Sequence, residues 1–208
     1  MKNQIQDILI AEANAIKNIP VNNHFEKCIE LILQQVHQKQ GKLIASGVGK
    51  AGQIAINIAT TFSSTGTPAL FLHPGDAQHG DLGVIQKNDI LLLISNSGKT
   101  REILELIELA RRLYKNIPII VITGNQESPL TRMADAILHT GNPKEVCPFG
   151  LTPTTSTTTM TVIGDVLVVL MMNKIQFTTE DYAKRHHGGY LGKKSRTEAR
   201  SGKNNHTK

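Results

Sequence analysis

The 208-residue sequence predicts an α/β fold, a three-layer sandwich in which helices flank a five-stranded parallel sheet on both faces. Short, nearly continuous apolar runs such as Ile90-Leu91-Leu92-Leu93-Ile94 and Ile119-Ile120-Val121-Ile122 have the pattern of parallel strands buried on both faces. These runs alternate with helical segments of about ten residues, which implies parallel pairing through right-handed crossovers. The third indication is a hydroxyl-rich strand-to-helix turn, Ser95-Asn96-Ser97-Gly98-Lys99-Thr100. Open α/β sheets bind ligands at such turns, beyond the carboxyl ends of the strands where the strand order reverses.

Residues 4–36 read as an amphipathic helical region with a break near Pro20. Residues 41–47 form the first strand and its exit, and residues 53–63 a helix on the spacing of Ile54, Ile58, Ala59 and Phe62. A second strand, 68–73, follows the turn at Gly66, and a third covers 89–95. The next helix repeats Ile103, Leu106, Ile107, Ala110 and Leu113, with Arg101/Glu105 and Glu108/Arg112 four apart on other faces. A fourth strand, 117–123, closes on Gly124-Asn125; a short helix near 128–134 leads to a last strand, 136–139. Thr154 through Thr161 is nearly all Thr and Ser and precedes the apolar run 162–172, so it opens a helix whose hydroxyls bond locally or line a pocket. That run holds Gly164 and Asp165 and is shorter than the roughly 18 residues that span a bilayer, which predicts a buried or subunit-contact helix rather than a membrane span. Ser46, His73, Ser95 and Thr123 then share the carboxyl edge of the sheet.

At 39% hydrophobic and 19% charged residues the chain reads as one soluble domain with terminal extensions. No apolar segment follows the amino-terminal residues as a signal peptide requires, and Cys28 and Cys147 have neither metal nor disulfide spacing, so a reduced, cytoplasmic protein is expected. The net charge of +6 is uneven. Residues 184–208 hold eight Lys/Arg and one acidic residue, a net of +7, whereas the other 183 residues carry fifteen and sixteen, a net of −1. A neutral core with a basic, aromatic-poor tail argues against nucleic acid as the partner.

In the turn at 95–100, Gly98 permits a tight bend, and the hydroxyls of Ser95, Ser97 and Thr100 can converge with the first helical N–H groups on an anion. Capping of the helix by one hydroxyl is the plainer alternative. The first strand exits into Ser46-Gly47-Val48-Gly49-Lys50-Ala51-Gly52, which is no nucleotide P-loop because Ala51 follows Lys50. It matches Gly-x-Gly-x-x-Gly, yet His73-Pro74-Gly75 stands where a dinucleotide site needs an acidic residue. What remains is a close-approach turn with Lys50 at its rim, as a functional cation or a solvated one. Phe71 through Leu82 places two histidines and two aspartates in one loop without zinc-finger spacing, so His79 is a candidate for substrate or acid–base work. Glu145 follows the last strand and can face the same crevice as a base, while Cys147 reads as packing.

Taken together, Ser46 to Gly52, Ser63 with Thr65-Gly66-Thr67-Pro68, His73-Pro74-Gly75-Asp76-Ala77-Gln78-His79-Gly80-Asp81-Leu82-Gly83, Ile94-Ser95-Asn96-Ser97-Gly98, Lys144-Glu145-Val146-Cys147-Pro148 and Gly150-Leu151-Thr152-Pro153-Thr154-Thr155-Ser156 resemble the sugar isomerase (SIS) domain of D-arabinose 5-phosphate isomerases. The resemblance runs over residues 8–194 and implies a flavodoxin-like sheet. It further implies an aldose–ketose isomerase that interconverts D-arabinose 5-phosphate and D-ribulose 5-phosphate through a cis-enediol, supplying the sugar acid KDO of lipopolysaccharide. No cofactor is implied. Lys50, Glu102, Glu145 and His186 match the family's functional positions, and His79 a further histidine of its site. Ser46, Gly47, Ser95, Asn96, Ser97 and Thr100 match positions that handle substrate and phosphate. No metal is required, His79 being at most an adventitious or inhibitory zinc contact.

Ser97-Gly98-Lys99-Thr100 stands where the family has serine-glycine-glutamate-serine, and Arg185-His186-His187-Gly188-Gly189 where it has serine-histidine-proline-glycine-glycine. Most members continue into paired CBS domains; this chain stops near where they would begin, and regulation through them is expected to be absent. The expected organisation is an isomerase domain over 1–194 with its helical amino-terminal region, then a basic, flexible tail over 195–208. A homo-oligomer, a tetramer with His186 reaching a neighbour's pocket, is expected from the apolar surface of the amino-terminal helical region and of the 162–172 helix. A non-catalytic sugar-phosphate-binding or sensing module is the alternative.

Overall fold

In the computed structural model, residues 1–200 are described. The amino-terminal region forms α1 (Lys2–Lys17) and α2 (His24–Ile32), the latter continuing as a π-helical turn over Leu33–Gln38. Then come β1 (Leu43–Gly47), α3 (Lys50–Ser64), β2 (Ala69–Phe71), the short α4 (Pro74–Ala77), β3 (Ile90–Ile94), α5 (Arg101–Leu113), β4 (Ile119–Thr123), α6 (Pro129–Arg132) and β5 (Ala136–His139). The chain closes with α7 (Thr155–Lys174), α8 (Thr179–Arg185) and α9 (Gly189–Arg200). Every expected strand and core helix is present, with ends moved by at most three residues.

Among the described residues the sheet has five strands in the order β2-β1-β3-β4-β5, every pair parallel. Period-two alternation divides its side chains between two cores. Leu43, Ala45, Ile90, Leu92, Ile94, Ile120 and Ile122 pack against α2, α3 and α7, while Ile44, Leu91, Leu93, Ile119 and Val121 pack against α5 and the segments around Leu72, Ile85 and Leu130. The crossover direction changes between β1 and β3, which opens a crevice at their carboxyl ends.

α7 is long and apolar enough, by length and composition, to cross a membrane, but half of its apolar window is buried. Met160, Ile163, Leu167, Val168 and Met171 face the sheet, and Val166, Val169 and Leu170 face outward. On α1 only Ala15 is buried, and Ile5, Ile8, Leu9 and Ile10 lie exposed. At the other end of the chain, α9 continues through the boundary expected at residue 194, and Ser195 is 6% exposed. The remainder of the expected tail, 201–208, lies outside the described residues.

Candidate active site at the carboxyl edge

Two strand-to-helix turns meet at the switch point. At the end of β1, the Gly47 backbone lies so close to α3 that a Cβ there would stand 2.7 Å from the Ala51 carbonyl carbon, and one on Gly52 would stand 2.8 Å from the Gly47 oxygen. The glycines of this turn let a helix start directly on a strand end. Lys50 follows as the first residue of α3, exposed. No side chain caps α3, so its first N–H groups and Lys50 together favour an anion. Ser46, fully buried, donates its hydroxyl to the Leu72 carbonyl at 2.7 Å and thereby joins β1 to the segment after β2.

The turn after β3 is braced from behind. Thr123 Oγ1 (3.2 Å) and Gly124 N (3.1 Å) donate to the Asn96 carbonyl, Asn125 Nδ2 donates to the Ser97 carbonyl at 3.1 Å, and Leu130 N to the Gly98 carbonyl at 3.2 Å. With its carbonyls tied back, the turn offers hydroxyls and N–H groups on its other side. Gly98 has φ +61, and a Cβ there would lie 2.1 Å from Ser128 Oγ, so the bend demands glycine twice over. Ser95 Oγ accepts from Gly98 N at 3.1 Å and is hydrogen-bonded to Thr100 Oγ1 at 2.7 Å. Thr100 is the N-cap residue of α5 without making a side-chain cap bond. Asn96 and Ser97 are exposed, and Glu102 stands exposed in the first turn of α5. The capping alternative therefore fails here: the hydroxyls brace the turn and leave a second helix N-terminus without a side-chain cap.

Glu145 lies in the segment between β5 and α7, and it caps α7. Its Oε2 accepts from Thr154 N (2.7 Å), Thr154 Oγ1 (3.0 Å) and Ser156 N (3.2 Å), and its Oε1 accepts a short bond from the Ser156 hydroxyl. Burial alone would raise its pKa; the Ser156 hydroxyl and the Thr154 and Ser156 donors outweigh it and hold the carboxyl below the usual glutamate range. The group is thus kept ionised, with Oε1 the less occupied oxygen. A groove lined by Lys50, Gln53, Asn57, Pro153 and Thr157 joins the first turns of α3 and α7, which brings Lys50 and the Glu145 segment to one side of the crevice.

Cys147 is more than packing. Its sulfur accepts from Leu151 N (3.2 Å) and Thr152 N (3.1 Å), shaping the loop that returns to α7; burial would raise the thiol pKa, and these N–H donors lower it. His79 is exposed just after α4, in a loop held near α5 by the 2.9 Å bond from Gln78 Nε2 to Glu105 Oε2.

His186 stands apart from the rest. It ends α8, stacked on Tyr182 at 3.7 Å with Nδ1 3.0 Å from the Tyr182 carbonyl. Tyr182 lines a groove with Met172, Asn173 and Phe177 at the carboxyl end of α7, and Phe177 packs on Gly66, the turn that leads into β2. Since α7 has 20 residues, this is about 30 Å from the Glu145 end. Within one chain Lys50 and the 95–102 turn follow the paired strand ends Gly47 and Ile94, Lys50 lines a groove with the first turns of the helix that Glu145 caps, and His186 follows α8 beyond that helix's carboxyl end. The Thr154–Glu145–Ser156 cap was missed in sequence because the acceptor precedes the helix by ten residues instead of occupying its N-cap.

The fold and the sequence have known relatives. The sequence profile of the SIS domain matches residues 37–170. The arabinose 5-phosphate isomerase KdsD of Salmonella typhi is 45% identical over 174 residues, 84% of this chain and 51% of that protein. The chain therefore spans about half the length of the curated relatives it matches. A proposed phosphosugar isomerase involved in capsule formation from Bacteroides fragilis NCTC 9343 superposes with a TM-score of 0.90 at 63% identity, over 91% of this chain and 99% of that one. An E. coli CFT073 protein solved in complex with arabinose 5-phosphate superposes at 0.79 with 34% identity, over 86% of this chain and 93% of that one.

Proposed function

From a chain that belongs to the SIS-domain family, we propose an enzyme that interconverts D-arabinose 5-phosphate and D-ribulose 5-phosphate without a cofactor. The observation that carries this reading is the meeting of two helix N-termini without side-chain caps, those of α3 and α5, at the one switch point of the sheet, with Lys50 and Glu102 in their first turns. The names of the KdsD relatives and the arabinose 5-phosphate complex of the E. coli protein support the choice of sugar. The phosphate binds the 95–100 turn through Ser97, the Ser95–Thr100 pair and the first N–H groups of α5. Isomerisation of the open-chain aldose then moves the proton on C2 to C1 while the proton on O2 passes to O1. Glu145, held ionised, takes the C2 proton on Oε1 and returns it to C1. Lys50 stabilises the enediolate oxygen, and Glu102 holds sugar hydroxyls or orients Lys50.

Because Glu145 caps the amino end of α7 and His186 follows α8 beyond its carboxyl end, a helix length of about 30 Å apart, His186 serves the site of a neighbouring copy, where it opens the ring or moves protons between the sugar oxygens. The exposed apolar residues of α1 and the outer face of α7 supply the surface for that assembly, a tetramer. The cell compartment is the cytoplasm, and the reverse reaction supplies arabinose 5-phosphate for synthesis of an eight-carbon sugar acid of the cell surface. Purified protein incubated with arabinose 5-phosphate should form ribulose 5-phosphate with no added metal or nucleotide. Binding without conversion would favour a sensing module instead.

A further inference from the structure

Glu12, on α1, is remote in sequence from every residue of the candidate site, yet its carboxylate ends at the first turn of α7. Its Oε1 accepts from the Thr155 hydroxyl at 2.8 Å, and that hydroxyl accepts from Val146 N at 3.1 Å. A hydroxyl has one proton. Because the carboxylate takes it, the lone pairs of Thr155 turn toward the N–H of the residue next to Glu145. The other oxygen, Oε2, is shut off from solvent without a hydrogen-bond partner among the described residues, a cost that pinning α1 to α7 does not require. An alanine or leucine at position 12 would pack those helices more cheaply.

We propose that Glu12 is a positioning residue for Glu145: through Thr155 it fixes the 145–146 backbone, so that the Glu145 carboxylate is aimed both at its α7 donors and at the substrate. The inference rests on the isomerase reading above for its catalytic consequence, and not for its structural one. Glu12 touches none of the phosphate-binding turn. Its loss therefore disturbs the proton transfer and leaves sugar-phosphate binding intact, a fall in kcat with KM nearly unchanged.

Two readouts on the whole, assembled protein test it. In Glu12→Leu, amide hydrogen exchange at Val146 rises about tenfold or more, and kcat falls about tenfold with KM within about twofold. Glu12→Gln keeps a carbonyl oxygen for Thr155 and retains the protection and most of the turnover. Should Glu12→Leu fail to fold, Thr155→Val, which breaks the same relay, gives the same pair of changes and Thr155→Ser restores both. Unchanged exchange at Val146 in Glu12→Leu or Thr155→Val overturns the proposal, as does a change in KM alone. A wild-type protein that forms no ribulose 5-phosphate defeats the isomerase reading separately, and the exchange readout then still decides whether Glu12 holds the Glu145 segment.

Discussion

Glu145 and Glu102 meet the crevice in different states. The first is capped into α7 with both oxygens engaged, and the second stands exposed in the opening turn of α5. That difference makes a direct comparison informative. With Glu145 as the base, Glu145→Gln should abolish solvent deuterium incorporation into bound sugar phosphate and cut kcat by about 10²–10⁴, whereas Glu102→Gln should keep measurable exchange. Exchange that survives the loss of Glu145 and vanishes with Glu102 would reverse the two roles. With Lys50 in the proposed role of stabilising the charge that develops on the sugar oxygen, Lys50→Met should cost about 10²–10³ in kcat with a smaller change in KM, measured by steady-state kinetics.

The elements that hold these residues depend on contacts tighter than ordinary packing. A Cβ on Gly164 of α7 would lie 2.4 Å from Ile58 of α3, so Gly164→Val should separate the two helices and destabilise the fold by about 1–3 kcal/mol, seen in denaturant unfolding. The cap of α7 brings a pH dependence. Because folding lowers the Glu145 pKa, its contribution to stability is complete above the ordinary glutamate pKa and is lost as pH falls through the lowered, folded value. The melting-temperature gap between wild type and Glu145→Gln should accordingly be widest near neutral pH and close toward acid. A gap that widens on acidification would contradict the cap.

For the whole molecule, the decisive geometry is that Lys50 and Glu145 sit at the amino-terminal ends of α3 and α7 while His186 lies beyond the far end of α7. Sites shared between copies have a signature in mixing experiments. Lys50→Met and His186→Asn proteins, each inactive alone, should regain about one quarter of wild-type activity when unfolded together and reassembled at random. The activity should also fall on dilution below the assembly constant, followed by light scattering. A fully active monomer would remove the need for a neighbour's histidine.

Chain chemistry alone was enough for the sheet. The apolar runs of β1, β3 and β4, the 3.6-residue stripes of α3 and α5 and the glycines between them are local patterns that admit one layered solution, and period-two burial on both faces matched it. The strand-to-helix turn after β3 was legible for the same reason, since Ser95, Ser97, Gly98 and Thr100 are neighbours in sequence and Gly98 marks the bend. Tertiary structure decided what depends on long separations. Ser46 looked available, and its hydroxyl is committed to Leu72; Cys147 looked inert, and it organises a loop; Glu145 looked free, and α7 claims it. The reach of Glu12 to Thr155, 143 residues away, and the distance of His186 from its partners leave no mark on local pattern. Hydrogen-bond partners and distances between elements are fixed by packing, and a sequence read along its length records the donors and acceptors without recording which of them packing brings within 3 Å.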